Sequence, residues 1–176
     1  RTLCVEFNAV KFAPFKIKDV DEETGKARYS VNITIDNKTV VNHLEPSCVS
    51  SQKYKGILGG FAKASYLSKT FVDQKAQKTE AYQLSKGILL SENSYFHSKP
   101  ELRIFADDVK CSHGSTIGPF DEALLFYIRS RGITKSSAIS MLISSFFADF
   151  LDNIDDQDYL SLIEYSFNKW LRNNKY

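Results

Sequence analysis

Between Tyr54 and Thr116 the chain never sustains the 3.6-residue period of a buried helix. Short apolar groups recur instead, "GIL", "SYLSKTFV", "GILL" and "LRIFA", separated by Gly, Ser, Lys and Gln. Closely spaced short strands with little helix confine such a segment to a sandwich, a barrel or a stacked β-solenoid. Spacing alone offers no repeat strict enough to choose among these. Upstream, Leu3, Val5 and Phe7 alternate with Cys4 and Glu6, and Tyr29, Val31, Ile33 and Ile35 alternate with polar residues, the period-2 signature of strands. The charged run "DVDEETGKAR" between them reads as a hairpin tip or loop, and Asp36-Asn37 as a second turn.

The pattern changes at Gly118-Pro119. Pro119 suits a first helical position, Asp121 and Glu122 suit the positive end of a helix dipole, and Arg129 and Arg131 suit the other end before Gly132. These residues predict a helix over 119–131. Ile139, Leu142, Ile143, Phe146, Phe147, Phe150, Leu151 and Ile154 then fall on one helical stripe, whose phenylalanines read as core. Tyr159, Leu160, Ile163, Phe167, Trp170 and Leu171 make a third helix. A β body over 1–118 followed by a small helical domain over 119–176 is the expected division.

The 176 residues suffice for one domain with a real core and a second small unit. The first residue is not Met and the first few already alternate, which reads as a fragment of a longer protein. No stretch approaches the roughly 18 apolar residues of a membrane span, and no secretory plan opens the chain. Cys4, Cys48 and Cys111 are odd in number and widely spaced, which fits reduced thiols inside a cell. A net charge of +2 does not by itself call for nucleic acid. Residues 52–86 carry seven lysines against Asp73 and Glu80, but spread among strand-like residues, as on a solvated sheet face.

The one constellation with chemical promise is "ADDVKCSHGSTIG", residues 106–118. In a regular strand residues i and i+2 share a face, about 6.6 to 6.8 Å apart. Asp107, Val109, Cys111 and His113 would then lie together, opposite Asp108, Lys110 and Ser112. A catalytic pair needs a thiolate and an imidazole within hydrogen-bond reach, which i, i+2 spacing does not provide unless the strand bulges or ends. Thiolate and imidazole suit zinc or iron, yet two ligands are too few for a closed tetrahedral site. Neither Cys4 nor Cys48 is spaced to complete one. The third reading is a buried Cys111 beside a solvent-facing His113. His43 and His97 carry no ligand partner nearby and read as ordinary histidines.

"KPELRIFADDVKCSHGSTIGPFDEALLFYIRSRGI", residues 99–133, resembles the SufB/SufD family of iron–sulphur cluster assembly scaffolds, most closely its SufD branch. The family pattern runs approximately K-P-x-L-E-I-x-A-D-D-V-K-C-S-H-G-A-T-x-G, then an acidic stretch and F-Y-L-R-S-R-G-I. Weaker similarity extends it to about residues 43–148, through "SSQKYKGILGG" and "AQKTEAYQLSKGILLS". Arg103, Ser115, Phe120 and His97 depart from the pattern; Cys111 and His113 do not.

The resemblance implies a mainly β fold, the C-terminal portion of a right-handed parallel β-helix, followed by the small α-helical domain. It implies a non-catalytic scaffold subunit that pairs with a SufB-like paralogue and recruits the SufC-like ABC ATPase, which receives ATP and docks on the helical region. His113 would supply a ligand, and Cys111 a nearby thiol, to a transient iron–sulphur cluster at the interface with that paralogue. Neither nucleic acid nor membrane is an expected partner. Self-pairing through the same sheet edge is the expectation for the isolated chain. The compartment would be a bacterial cytoplasm or a plastid-type organelle. The competing reading is a stand-alone β-solenoid enzyme with a Cys–His centre. "GILGGFAKAS" is not a phosphate-binding G-x-x-x-x-G-K-[ST] loop.

Overall fold

The computed structural model describes residues 4–9, 17–20, 27–30, 34–151, 154 and 156–173. Among the described residues nine strands precede three helices: β1 (Cys4–Ala9), β2 (Ile17–Val20), β3 (Ala27–Ser30), β4 (Thr34–His43), β5 (Val49–Leu58), β6 (Lys63–Val72), β7 (Thr79–Leu89), β8 (Tyr95–Ile104), β9 (Val109–Gly118), α1 (Glu122–Arg129), α2 (Lys135–Leu151) and α3 (Gln157–Asn173). From β4 onward consecutive strands alternate between two all-parallel sheets, ordered β1-β5-β7-β9 and β4-β6-β8. Each strand therefore pairs with the next but one, at offsets of 29 to 32 residues. β1 pairs with β5 at the longer offset of 49 − 4 = 45 residues, because the antiparallel hairpin β2–β3 intervenes.

The two sheets pack face to face through the alternate side chains that period-2 geometry turns inward. At one end lies an apolar layer in which Tyr54 stacks on Tyr66 at 4.3 Å between centroids and tilts against Phe96 at 5.7 Å. At the other end Val72, Ala76 and Ala106 form a second apolar cluster. Between them the interior is polar, with Ser50, Gln52, Ser68, Thr70, Gln83 and Ser85 all buried. Hydrogen bonds across the gap offset the desolvation of Ser50, Gln52, Ser68, Thr70 and the Gln83 amide nitrogen.

Several expectations are revised by this arrangement. Asp36-Asn37 is not a turn but part of β4: Asp36 accepts a hydrogen bond from Ser65 on the neighbouring strand, and Asn37 donates to the Tyr54 hydroxyl at 2.8 Å. Partners on the neighbouring strand and on the facing sheet let polar residues sit within a strand. Tyr29 and Ile35 belong to different strands, β3 and β4, while residues 31–33 lie outside the described residues. The tip of "DVDEETGKAR", residues 21–26, also lies outside them, but its flanks pair as a hairpin.

His43 is buried, with Nε2 at 2.8 Å from the Ser50 hydroxyl. Burial holds its imidazole below the ordinary value of 6.5. On acidification the unfolded chain binds a proton there while the folded chain does not, so stability is complete above about pH 6.5 and falls below it. A urea midpoint followed from about pH 7.5 to about pH 5 should drop on the acid side, and His43→Gln should flatten part of that drop.

Backbone contacts group β1 with β4 to β9 into one unit and β2 and β3 with the three helices into another. In the second unit α1 starts later than the sequence suggests. Pro119 stands ahead of it, and Asp121 caps it by accepting from the Ala123 and Leu124 amides at 2.8 and 3.3 Å. Gly132, with φ of 84°, follows its last turn. Ile139, Ile143 and Phe147 of α2 are buried, as are Ile163 and Phe167 of α3, and Phe147 meets Phe167 edge-on at 5.4 Å. Ile154 falls beyond α2, and Tyr159 is exposed.

Candidate functional site

Residues 109–118 form β9, which occurs at the end of its sheet and has a strand neighbour on one side, β7. Val109, Cys111 and His113 stand in register with Thr79, Ala81 and Gln83, which are all buried. The expected shared face is therefore the inward one from Val109 onward. Asp107 and Asp108 precede the strand and are exposed; the Asp108 carbonyl accepts from the Lys78 amide.

The two candidate side chains have different surroundings. Cys111 is partly buried and packs against the Val72, Ala76 and Ala106 cluster. Burial pushes its thiol above the ordinary value, and a backbone hydrogen bond from Ala81 only partly opposes this. His113 is exposed, since no further strand of its sheet covers it among the described residues. Among the described residues no group of three or more His, Cys, Asp and Glu side chains is arranged to hold a metal ion. Cys48 is also a free thiol, immediately ahead of β5, and His97 is exposed on β8.

Sequence reasoning missed the polar column beneath His113. Gln52 pairs in register with Gln83, and Gln83 with His113. Gln52 donates to Thr70 Oγ1 at 2.9 Å and accepts from Ser68 Oγ at 2.6 Å and from the Tyr66 hydroxyl at 3.4 Å. Gln83 donates through Nε2 to Ser68 Oγ at 2.8 Å and to Thr70 Oγ1 at 2.7 Å. Among the described residues its Oε1 has no hydrogen-bond partner, nor do Thr79 Oγ1, Ser85 Oγ and Ser98 Oγ. All four belong to β7 and β8, the strands next to the uncovered end. The signal that could have found the column is a repeat: "QKYKGIL" at 52–58 and "QLSKGIL" at 83–89 share Q-x-x-K-G-I-L. Carrying the register one strand further sets His113 where the two glutamines stand.

Residues 27–146 match the family model described as "SUF system FeS cluster assembly, SufBD core domain". The chain belongs to the SufB/SufD family. Within that family it is most like SufD. It is 36% identical over 126 residues to iron–sulphur cluster assembly protein SufD of Escherichia coli, covering 72% of this chain and 30% of the relative. It is 41% identical over 114 residues to the SufBD family protein slr0076 of Synechocystis, covering 65% and 25%. The chloroplastic protein ABCI7 of Arabidopsis thaliana is 35% identical over 127 residues, covering 72% and 26%. The chain thus spans less than a third of the length of these SufB/SufD relatives. No helix among the described residues is long and apolar enough to cross a membrane.

Proposed function

We propose that this chain is the C-terminal part of a SufD-like, non-catalytic scaffold subunit, which pairs with a SufB-like paralogue and a SufC-like ABC ATPase to build nascent iron–sulphur clusters. The cluster is cargo, held transiently at the interface with the paralogue, and ATP belongs to the ATPase. The two parallel sheets with a repeat near 30 residues support reading the β unit as a right-handed parallel β-helix, with residues 119–176 as a separate helical domain. A bacterial cytoplasm or a plastid-type organelle fits the relatives.

The observation that carries this reading is that Cys111 and His113 stand on a sheet-edge strand, with His113 exposed. An edge strand offers unpaired backbone donors and acceptors to a strand of another chain. A half-site of one imidazole and one thiol is useful where that second chain brings the remaining ligands. His113 is the ligand, and Cys111 the thiol beside it. The enzyme reading is less well supported, because a nucleophilic cysteine needs a lowered pKa and burial raises that of Cys111.

The test is anaerobic reconstitution of the full protein with its paralogue and ATPase, using ferrous iron and sulphide and reading cluster absorption. His113→Ala should lower cluster yield by about tenfold or more, at least the loss that follows removal of a mere supporting group at a metal site. Its circular dichroism should not change, because the side chain is exposed. Unchanged cluster yield in that variant would refute the ligand role.

A further inference from the structure

We infer that Gln83 is a positioning residue for His113, its side-chain carbonyl accepting one ring N–H so that the lone pair of the other ring nitrogen is turned to the exterior. The inference rests on the reading of His113 as a ligand.

Gln83 is 3% exposed, and its Nε2 is committed to Ser68 and Thr70 on the facing sheet. A primary amide has two N–H donors, so both are used, which fixes the plane of the amide and its orientation. Oε1 is left buried and without a partner among the described residues. A buried carbonyl in that condition costs about 1 to 3 kcal/mol unless a donor reaches it. Below it in the column, Gln52 has its amide nitrogen on Thr70. Above it, in direct register, stands His113, whose ring is not bonded to Oε1 in the structure and must turn inward to reach it. Parallel strands lie about 4.7 to 4.9 Å apart, a separation that inward side chains in one column bridge readily.

The chemistry fits the residue types. A neutral imidazole has one N–H and one lone pair, and the hydrogen bond made by the first decides which nitrogen offers the second. Histidines that bind metals commonly give their spare N–H to a carbonyl or carboxylate, which holds the ring and its tautomer. A neutral amide suits a thiolate-rich cluster, since it orients the ring without adding negative charge. The earlier column position, Gln52, shows what a satisfied amide looks like here: both its oxygen and its nitrogen are bonded. The column then changes from Gln to His at the edge strand.

The measurement is the ring-nitrogen spectrum of the iron-free full protein labelled with 15N at histidine, at about pH 8, where an ordinary imidazole is neutral. His113 is assigned from the signal that His113→Ala removes. It should show one tautomer in about five- to tenfold excess, the ratio one net hydrogen bond supports. Gln83→Met should return it to the mixture of the exposed His97. Gln52→Met, which removes a similar buried amide one strand away, should leave the His113 ratio alone. A free-imidazole mixture in the parent protein would overturn the assignment whatever the variants do. So would an unchanged ratio in a folded Gln83→Met. Because the tautomer is read without iron, it can fail while cluster yield still depends on His113, and the reverse.

Discussion

Gly87→Ala is expected to destabilise the β unit by about 1–3 kcal/mol, while Gly56→Ala, in the same K-G-I-L motif one repeat earlier, should cost under about 0.5 kcal/mol. The two glycines pair in register, and neither has the positive φ that would demand glycine for its backbone. What differs is room. A Cβ on Gly87 would overlap the Phe96 ring and lie 3.2 Å from Ile117 Cγ1, whereas one on Gly56 would meet its nearest atoms at 3.5 and 3.6 Å, ordinary contact distances. Phe96 is 5% exposed and wedged against Tyr54, so it cannot swing away freely. Urea unfolding followed by far-UV circular dichroism checks the pair. Gly87→Ala combined with Phe96→Leu should recover part of the loss, as expected for residues in contact. Equal effects of the two glycine substitutions would show that Phe96 does not occupy the space above Gly87.

Gln52→Leu is the second large effect expected, about 2–4 kcal/mol. The leucine fills most of the volume but gives nothing to the hydroxyls of Ser68 and Tyr66, which then lose an acceptor inside the sheet pair. Thr70 keeps the bond from Gln83, so the damage stays on one side of the network. Ser68→Ala made in the Gln52→Leu background should cost less than in the parent, because the hydroxyl has already lost its acceptor. That double-mutant comparison, again by urea unfolding, separates a bonded network from simple volume filling.

The helices were legible because a stripe at period 3.6 extends over many residues, so Ile139, Ile143 and Phe147 announce a buried face before any contact is known. The strands were legible as strands, but their order was not. Alternation says which face a residue takes, and nothing about which strand lies beside it. The clue lay in Q-x-x-K-G-I-L at 52–58 and 83–89, yet the 45-residue offset of β1 interrupts the spacing, and the last copy at 113–118 keeps only the parity. Asp36-Asn37 misleads for a different reason: turn chemistry is a local preference, and it yields when Ser65 on the neighbouring strand and Tyr54 on the facing sheet form hydrogen bonds with the pair. At the site, Cys111 and His113 stand out by residue type. Gln83 does not, because an amide in a strand has no chemical signature until its partners are seen, and its free oxygen is visible only once Ser68 and Thr70 are known to hold its nitrogen.

Among the described residues β9 has a single strand neighbour, whereas β5 and β7 each have two. In an array where every member touches only those adjacent to it, stability is a sum of nearest-neighbour terms, and the last member holds by one such term instead of two. Its amides should therefore exchange with deuterium through a local opening far cheaper than global unfolding, while those of β7 stay protected. Any strand that pairs with the free edge of β9 supplies the missing term and must slow that exchange by the ratio of its concentration to its dissociation constant. The segment bearing Cys111 and His113 is thus a part of the β unit that can unzip and close again while its neighbour stays folded, and its exchange rate is a direct gauge of what has joined it.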